Sequence, residues 1–492
     1  MKASKTISLL LLAAMLLTGC SSGADNSADN AAQITEASEQ TAETTTASEY
    51  IIPETKYDGA QVTLASYEVT SNWMSLQYTD AYAEAENGDI LNDAIFFRNR
   101  AVEEALDVKL GYQKHASTLS NPSEFNKLIL AGEDVIDAAY INTGSLPKML
   151  GQDLLVDLYT VDTIDLTHSW WDSNAVEGYT LYDKLYCATG DISLFLHYSP
   201  IALFANKAIL ENLNLESPYK LVRDGAWTVD KMIEYSTKAA GDIDGDGKMT
   251  IADRFGLLCE PKSLPVLIQA AGIKFSEKNS DGEPEITINS PKTAELVEKL
   301  VPFMNNKSVN MLSTNYSSQY KSVFTDLYLP VFNENRALFY KNQLHISLNL
   351  RNMESDFGVL PLPKYNEAQD EYIGILNDYF TTAITIPVTN GNVDMTGAVI
   401  EALGYYGQQY VTKAFIDVTI TDKAIRDEDS TEMLNIIFDN MIVDLGVIYN
   451  WGNVYSMVTS LVSNNSTDYA SLYASNESAI NQALAKTIED LK

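Results

Sequence analysis

Cationic side chains are scarce in this chain of 492 residues: 33 Lys and Arg stand against 67 Asp and Glu, for a formal net charge of −34. That balance repels phosphate backbones and anionic headgroups. It excludes a nucleic-acid or membrane-surface binder and leaves neutral or cationic solutes and metal ions open. Cysteine is scarcer still, with three in all, and none has the spacing of a zinc site. Only four histidines occur, His115, His168, His197 and His345, scattered along the chain. There is no His-Glu-x-x-His, Gly-x-Ser-x-Gly or Gly-x-Gly-x-x-Gly, which argues against zinc hydrolysis and nucleophilic triads. The 14 prolines, 20% charged residues and 46% apolar residues exclude a collagenous, coiled-coil or wholly disordered chain and suffice to build cores. Paired carboxylates of the glycosidase kind remain conceivable, but among 67 acids no pair stands out.

The N-terminus is an address. Lys2 and Lys5 precede an apolar run from Ile7 to Leu17, shorter than the ~20 residues a permanent membrane helix needs. This export signal ends in Leu17-Thr18-Gly19-Cys20, which resembles the bacterial lipobox. The resemblance implies cleavage of residues 1–19 and lipidation of Cys20. Two acyl chains would then hold the protein on the extracytoplasmic face of the cell membrane. Removing two lysines takes the net charge from −34 to −36. Residues 21–50 contain six acids, no Lys or Arg, and only Ile34 and Tyr50 as larger apolar side chains. Such a segment cannot bury enough surface to fold, so residues 20–56 are expected to form a flexible, self-repelling tether.

At roughly 150 residues per domain the remainder suggests two to three domains or one two-lobed body. Strand-like runs occur at 61–67, 134–141, 185–188, 201–204, 357–360 and 383–387. Helical periodicity runs from Asn92 to Asp107, with Ile95, Phe96, Val102 and Leu106 apolar and Arg98, Arg100, Glu103 and Glu104 opposite. A second helix opens at Pro291 and continues to Met304. The alternation predicts an α/β fold with mostly parallel sheets. Asn279-Ser280-Asp281-Gly282 reads as the turn of an inserted hairpin. Cys187 and Cys259 lie in apolar runs and read as small core residues, with a disulfide as the alternative.

Residues 242–253 match the twelve-residue calcium loop. Asp242, Asp244, Asp246, Thr250 and Asp253 stand at positions 1, 3, 5, 9 and 12, and Gly247 stands at the sharp turn of position 6. The Lys248 carbonyl supplies a further oxygen. Asp253 replaces the usual Glu, and the segment after it reads as a strand, so the loop would be a single structural calcium site without a partner hand. A phosphate loop over Gly241 to Lys248 fails, because five residues separate Gly241 from Gly247 and Met249 stands where Ser or Thr is required.

Tyrosine outnumbers phenylalanine 28 to 15, and Tyr or Trp offers a flat apolar face with a hydrogen-bonding edge, as sugars require. Trp73, Trp170, Trp171, Tyr379, Tyr449 and Trp451 occupy expected loops.

Asp134 to Tyr140 with Gly151 to Leu158, Leu185 to Asp191 with Ile201 to Lys207, Gly225-Ala226-Trp227-Thr228-Val229-Asp230, Phe332 to Phe339, Phe357 to Lys364 and Ala383 to Pro387 together resemble the extracellular solute-binding protein family 1. Proteins of that family serve ABC importers of carbohydrate. Asn335-Arg336 stands where the family more usually has Gly-Lys. The resemblance implies a two-lobed, type II periplasmic-binding-protein-like clamp with interleaved lobes, one at 57–190 and 342–390, the other at 197–340 and 393–492 with the calcium loop. It implies a monomer, not an enzyme, that takes a sugar or oligosaccharide between its lobes and presents it to permease subunits. Asp191 would accept sugar hydroxyls, Trp73, Trp170 and Trp451 would stack on a pyranose, and Asp378 and Tyr379, in the loop before Thr381, would also meet the ligand. The alternative for each is a structural role, as for Trp227, which reads as packing beside the Thr228 cap. A calcium-dependent surface polysaccharide hydrolase, or a lipoprotein binding a peptide or other solute, remain the alternative functions.

Overall fold

The computed structural model describes residues 50–67, 80–115, 122–351, 353–378, 380–416 and 428–492. Signal segment, Cys20, most of the tether, Trp73 and Tyr379 therefore lie outside the described residues. The first strands are β1 (Ala60–Tyr67), β2 (Val108–His115), β3 (Ala138–Asn142), β4 (Pro200–Asn206), β5 (Phe255–Cys259), β6 (Ser276–Lys278) and β7 (Pro284–Ile286). They are followed by β8 (Asn310–Leu312), β9 (Ala337–Gln343), β10 (Phe357–Leu360), β11 (Gly374–Leu376), β12 (Thr382–Thr385) and β13 (Met441–Ile442). One sheet has the order β12-β3-β1-β2; a second runs β13-β11-β4-β9-β5-β8, with β10 also on β4; β6 and β7 form the expected hairpin.

In β1, Val62 and Leu64 point inward while Gln61 is exposed and Thr63 half-buried. The strand becomes buried on both faces where Leu64 and Ala65 meet Ala138 and Ala139 of β3. The second sheet is covered on both sides. Trp227, Met232, Leu267, Leu300 and Val458 pack on one face, and Leu327, Phe332, Leu350 and Ile437 on the other. Asn335 turns into β9 with φ 58, a left-handed conformation that Asn tolerates where Gly is the easier choice.

Several expectations are corrected. The sheets are mixed, not mostly parallel: β12 runs antiparallel to β3, and β4 antiparallel to β9, β10 and β11. The reason is connectivity, since β4 and β12 each enter their sheet from the other lobe. Strands β10 and β11, expected in the first lobe with 342–390, pair in the second sheet. The helix Val393–Tyr406, expected in the second lobe, buries Met395, Ala398, Val399 and Leu403 in the core of the first. Residues 185–188 form no strand; Ala188 alone bridges to Ile384. Arg98 is not on the solvent face of its helix, Ile90–Leu106, but wholly buried. The expected tether ends early: Tyr50 already packs against His168, Trp170 and Tyr405, at ring distances of 5.6, 5.0 and 4.9 Å. Cys187 and Cys259 are free and buried, as expected of core residues, and burial pushes each thiol up to about 12.

Among the described residues the chain passes between the sheets at 190–199, before β4, and at 377–381, between β11 and β12. The two passages meet at Asp80. Its buried carboxylate accepts Leu194 N at 2.7 Å, Phe195 N at 3.3 Å and Ser193 Oγ at 3.1 Å, as well as the Thr382 hydroxyl at the start of β12. Arg98 fixes the same loop, donating to the Asp80 carbonyl and, at 3.2 Å, to that of Ile192. Truncating a buried, hydrogen-bonded charge strands its donors, at a cost of about 3 kcal/mol or more. Asp80→Ala should lower the unfolding free energy by that much in denaturant titration, against less than about 0.5 kcal/mol for exposed Asp162→Ala. A loss below about 1 kcal/mol for Asp80→Ala would show that the passages are held elsewhere.

Candidate ligand cleft and metal loop

Strand direction places the cleft. Thr382, at the start of β12, lies opposite Asn142, at the end of β3, and Ile201, near the start of β4, lies opposite Gln343, at the end of β9. The C-terminal ends of β1, β2 and β3 in one lobe and of β5, β8 and β9 in the other therefore all face the passages. This is where open α/β sheets carry ligand sites.

At the end of β3 lie Asn142, Thr143 and Gly144, a turn closed by Gly144 N on Asn142 Oδ1 at 3.1 Å, with Asn142 and Thr143 wholly buried. From the second lobe the cleft receives Glu260, just past β5, in a 3.0 Å ion pair with the largely buried Lys341 of β9. Tyr328 Oη lies 2.8 Å from the Cys259 carbonyl and 2.7 Å from that of Met311, joining the ends of β5 and β8. Asn342 Nδ2 donates to Tyr340 Oη at 2.6 Å.

The sequence-derived candidates fare differently. Asp378 is buried in the second passage, and its carbonyl accepts Thr143 Oγ1 and Gly144 N, each at 3.2 Å. Burial, then the charge of Asp444, raises its carboxyl to about 7. Asp191 sits in the first passage but is already engaged, by Gln408 Nε2 at 2.8 Å, Thr412 Oγ1 at 2.7 Å and His197 Nε2 at 3.4 Å. Trp170 is 4% exposed. Its indole stacks on His168 at 4.2 Å and donates to Glu401 at 3.1 Å, leaving no face for a pyranose. Trp171 donates to the same carboxylate at 2.9 Å. Trp451 is 2% exposed, stacked on Tyr449 and bonded to Thr487 Oγ1 at 2.9 Å. It helps wall a 270 Å³ groove between Pro147 to Gly151 and the C-terminal helix. Trp227 is core, its Nε1 on the Pro361 carbonyl at 3.0 Å, and Thr228 Oγ1 caps the following helix.

Sequence reasoning missed Asp80, Glu401 and Asp444. Glu401 gathers four donors, Asp165 N, His168 Nδ1 and the two indoles. Asp444 accepts Phe275 N, Ser276 N, Ser276 Oγ, Gln269 Nε2 and Gly446 N. Only Asp444 had a local signal, as a cap before the apolar run Leu445 to Ile448.

The metal loop is built as its pattern suggests at its first half. One carboxylate oxygen each from Asp242, Asp244 and Asp246 lies within 4.8 Å of the others. Asp242 also accepts Gly245 N at 2.6 Å and Gly247 N at 2.7 Å, and Gly247 turns with φ +78. Asp244 accepts the Asp246 N–H, yet desolvation and the charges of Asp246, Asp253 and Asp242 hold its carboxyl above the ordinary range. Asp253 is not part of this cluster. It is buried and ties the loop together through Ile243 N at 2.9 Å and Thr250 N at 2.7 Å, while Thr250 Oγ1 turns toward it at 3.4 Å. The donor set is oxygen only, which fits a hard cation such as calcium.

No family model and no curated protein matches the chain by sequence. Solved structures do. An ABC substrate-binding protein from Listeria monocytogenes in complex with cycloalternan is similar over 88% of this chain and 99% of its own, with a TM-score of 0.54 at 14% identity. The chain has the solute-binding-protein fold. The maltose/maltodextrin-binding domain MalE from Bdellovibrio bacteriovorus, bound to maltotriose, matches 88% of this chain and 100% of its own, with TM-score 0.53 and 14% identity. A solute-binding protein of an ABC transporter from Thermotoga lettingae, bound with α-D-tagatose, covers 88% and 100% at TM-score 0.54 and 15% identity. The two-lobed architecture expected from the sequence is thus the one observed. Among the described residues no helix is long and apolar enough to cross a membrane.

Proposed function

We propose that this chain is a membrane-anchored, extracytoplasmic receptor of an ABC importer, binding a sugar or oligosaccharide between its lobes and presenting it to the permease. The observation that carries this reading is the convergence of strand C-termini from two interleaved sheets on one cleft, in a fold whose neighbours hold cycloalternan, maltotriose and tagatose. The strand ends support it: the partly exposed Asn342 and Glu260, the latter paired with Lys341, offer neutral and paired hydrogen-bonding groups suited to hydroxyls. Ligand contacting both lobes would stabilise one bend of the hinge over others, and no bond is made or broken. Titration calorimetry against mono- and oligosaccharides should show saturable binding to at least one, with the sugar recovered unchanged. Silence across the panel, or release of reducing ends, overturns the reading.

The anchor belongs to the same proposal. Cys20 as mature N-terminus implies that Cys20→Ser moves the protein from the membrane to the soluble fraction; membrane retention of that variant counts against it.

Calcium at residues 242–253 would brace the second lobe. The three aspartates repel one another until a cation neutralises them, and the loop is stapled at its base by reciprocal Gly241–Arg254 backbone bonds of 2.9 and 3.1 Å. EDTA should lower the melting temperature of the wild type by several degrees, and Asp244→Ala with Asp246→Ala should abolish that sensitivity. An EDTA-insensitive wild type refutes the site.

A further inference from the structure

Between β13 and the helix Val454–Ser463 the chain leaves the second lobe and comes back. β13 belongs to the second sheet, and Val454, Val458 and Leu461 pack in the core of that lobe. Residues 443–453 lie between them, yet Leu445, Ile448 and Trp451 are buried in the core of the first lobe. This finger turns back through three left-handed residues, Asn450, Gly452 and Asn453, at φ 45, 55 and 64. Asn450 Oδ1 closes the turn on Tyr455 N at 2.8 Å.

The finger is held to the two lobes by different means. At its root Asp444, 3% exposed, accepts Phe275 N at 2.6 Å, Ser276 N at 3.1 Å, Ser276 Oγ at 3.2 Å and Gln269 Nε2 at 3.2 Å, all from the second lobe. Gly446 N donates to Ser276 Oγ at 2.8 Å, and a Cβ on Gly446 would stand 2.6 Å from that of Phe275. The C-terminal helix Tyr469–Leu491 braces the tip: Tyr469 and Tyr473 are buried in the second core, while Ala483 and Leu484 lie against the first. Trp451 Nε1 donates to Thr487 Oγ1 of that helix at 2.9 Å, and Gly452 sits so close to the Ile480 backbone that no side chain fits. Finger and helix end therefore form one arm of the second lobe. Where it enters the first lobe, the arm presents apolar side chains and faces Pro147, Leu150 and Gly151 across the 270 Å³ groove. The helix Leu146–Leu150 follows directly on the turn at the cleft end of β3.

We propose that this arm is the pivot of the clamp: finger and helix end move with the second lobe, and the first lobe slides over them when the lobes bend. The reason is the contrast between the two contacts. Bonds to a buried carboxylate are directional and costly to break, whereas packed apolar side chains slide by small steps, the shear kind of domain motion. Bending leaves the Asp444 root intact and is taken up around Leu445, Ile448 and Trp451. The groove supplies the room for that slide, and its volume bounds how far the helix Leu146–Leu150, and with it the cleft turn, travels toward the arm. The pivot concerns lobe motion and holds for any solute between the lobes.

The test needs no ligand, so its failure is separate from that of the sugar reading. Spin labels at exposed Glu133→Cys on the first lobe and Lys307→Cys on the second report lobe separation in the full chain carrying Cys20→Ser, where the other thiols, Cys187 and Cys259, are buried. Asp444→Ala should widen the distance distribution. The amides of residues 446–450 should then exchange hydrogen about tenfold faster or more, while those of β1 keep their rate. Ala483→Phe, which fills part of the groove and touches no Asp444 bond, should narrow the distribution. An Asp444→Ala protein with the wild-type distribution, exchange that rises equally in β1, or an Ala483→Phe protein as wide as the wild type each overturns the pivot. Should Asp444→Ala not fold, Ala483→Phe decides alone.

Discussion

The relation between the two lobes depends on a carboxylate that water does not reach. Asp80 binds the amides that open the short helix Leu194–Tyr198 and the hydroxyl that opens β12, so the chain leaving the first lobe and the chain returning to it are joined at one point. Burial raises its carboxyl, but the hydroxyls of Thr382 and Ser193, the Phe195 amide and the charge of Arg98 work against that rise. An isolated charge there would be untenable; with the Arg98 guanidinium close by on the Asp80 carbonyl and four donors on the carboxylate, it is tolerable and directional. Directionality is the point. Apolar packing tolerates small slides, whereas bonds to a carboxylate fix where both passages start, and with them the aim of the strand ends that form the cleft.

The same solution recurs with different degrees of satisfaction. Glu401 collects the Trp170 and Trp171 indoles, and Asp191 ties the first passage to Gln408 and Thr412. Asp444 pins the turn after β13 to β6. Each draws its donors from segments distant in sequence, so each reports tertiary arrangement and not local structure. Asp378 departs from this pattern: burial raises its carboxyl to about 7, with few donors to oppose the rise.

How much of this was legible follows from range. The extents of β4, β10 and the helix Pro291–Met304 are set by local periodicity and caps, and were read almost to the residue. Strand direction was not, because β4 and β12 are antiparallel only by virtue of arriving from another lobe. Arg98 was misplaced although the spacing was present: it stands three residues after Ile95 and four before Val102, on the buried stripe, and its charge argued for solvent where a partner 18 residues away had removed the penalty. Tyr50 closes an otherwise featureless acidic segment, and nothing near it in sequence announces His168, Trp170 and Tyr405 as its neighbours. The acidic turn at Asp242, Asp244 and Asp246 was legible because its carboxylates stand at alternate positions of one short loop, whereas Asp253, expected beside them, serves the loop's own amides.

The fate of the aromatic candidates narrows the ligand question. Of the five tryptophans in the chain, Trp170, Trp171, Trp227 and Trp451 are each under 5% exposed, and each indole N–H already has an acceptor. Freeing any of them for a sugar would uncover a buried acceptor and an apolar ring face at once, a change that ligand stacking would hardly offset. If a tryptophan stacks on the ligand, it is therefore Trp73, which follows β1 in sequence beyond the end that faces the cleft. Tyrosines, which outnumber phenylalanines 28 to 15, are the other aromatic side chains with both a flat apolar face and a hydrogen-bonding edge.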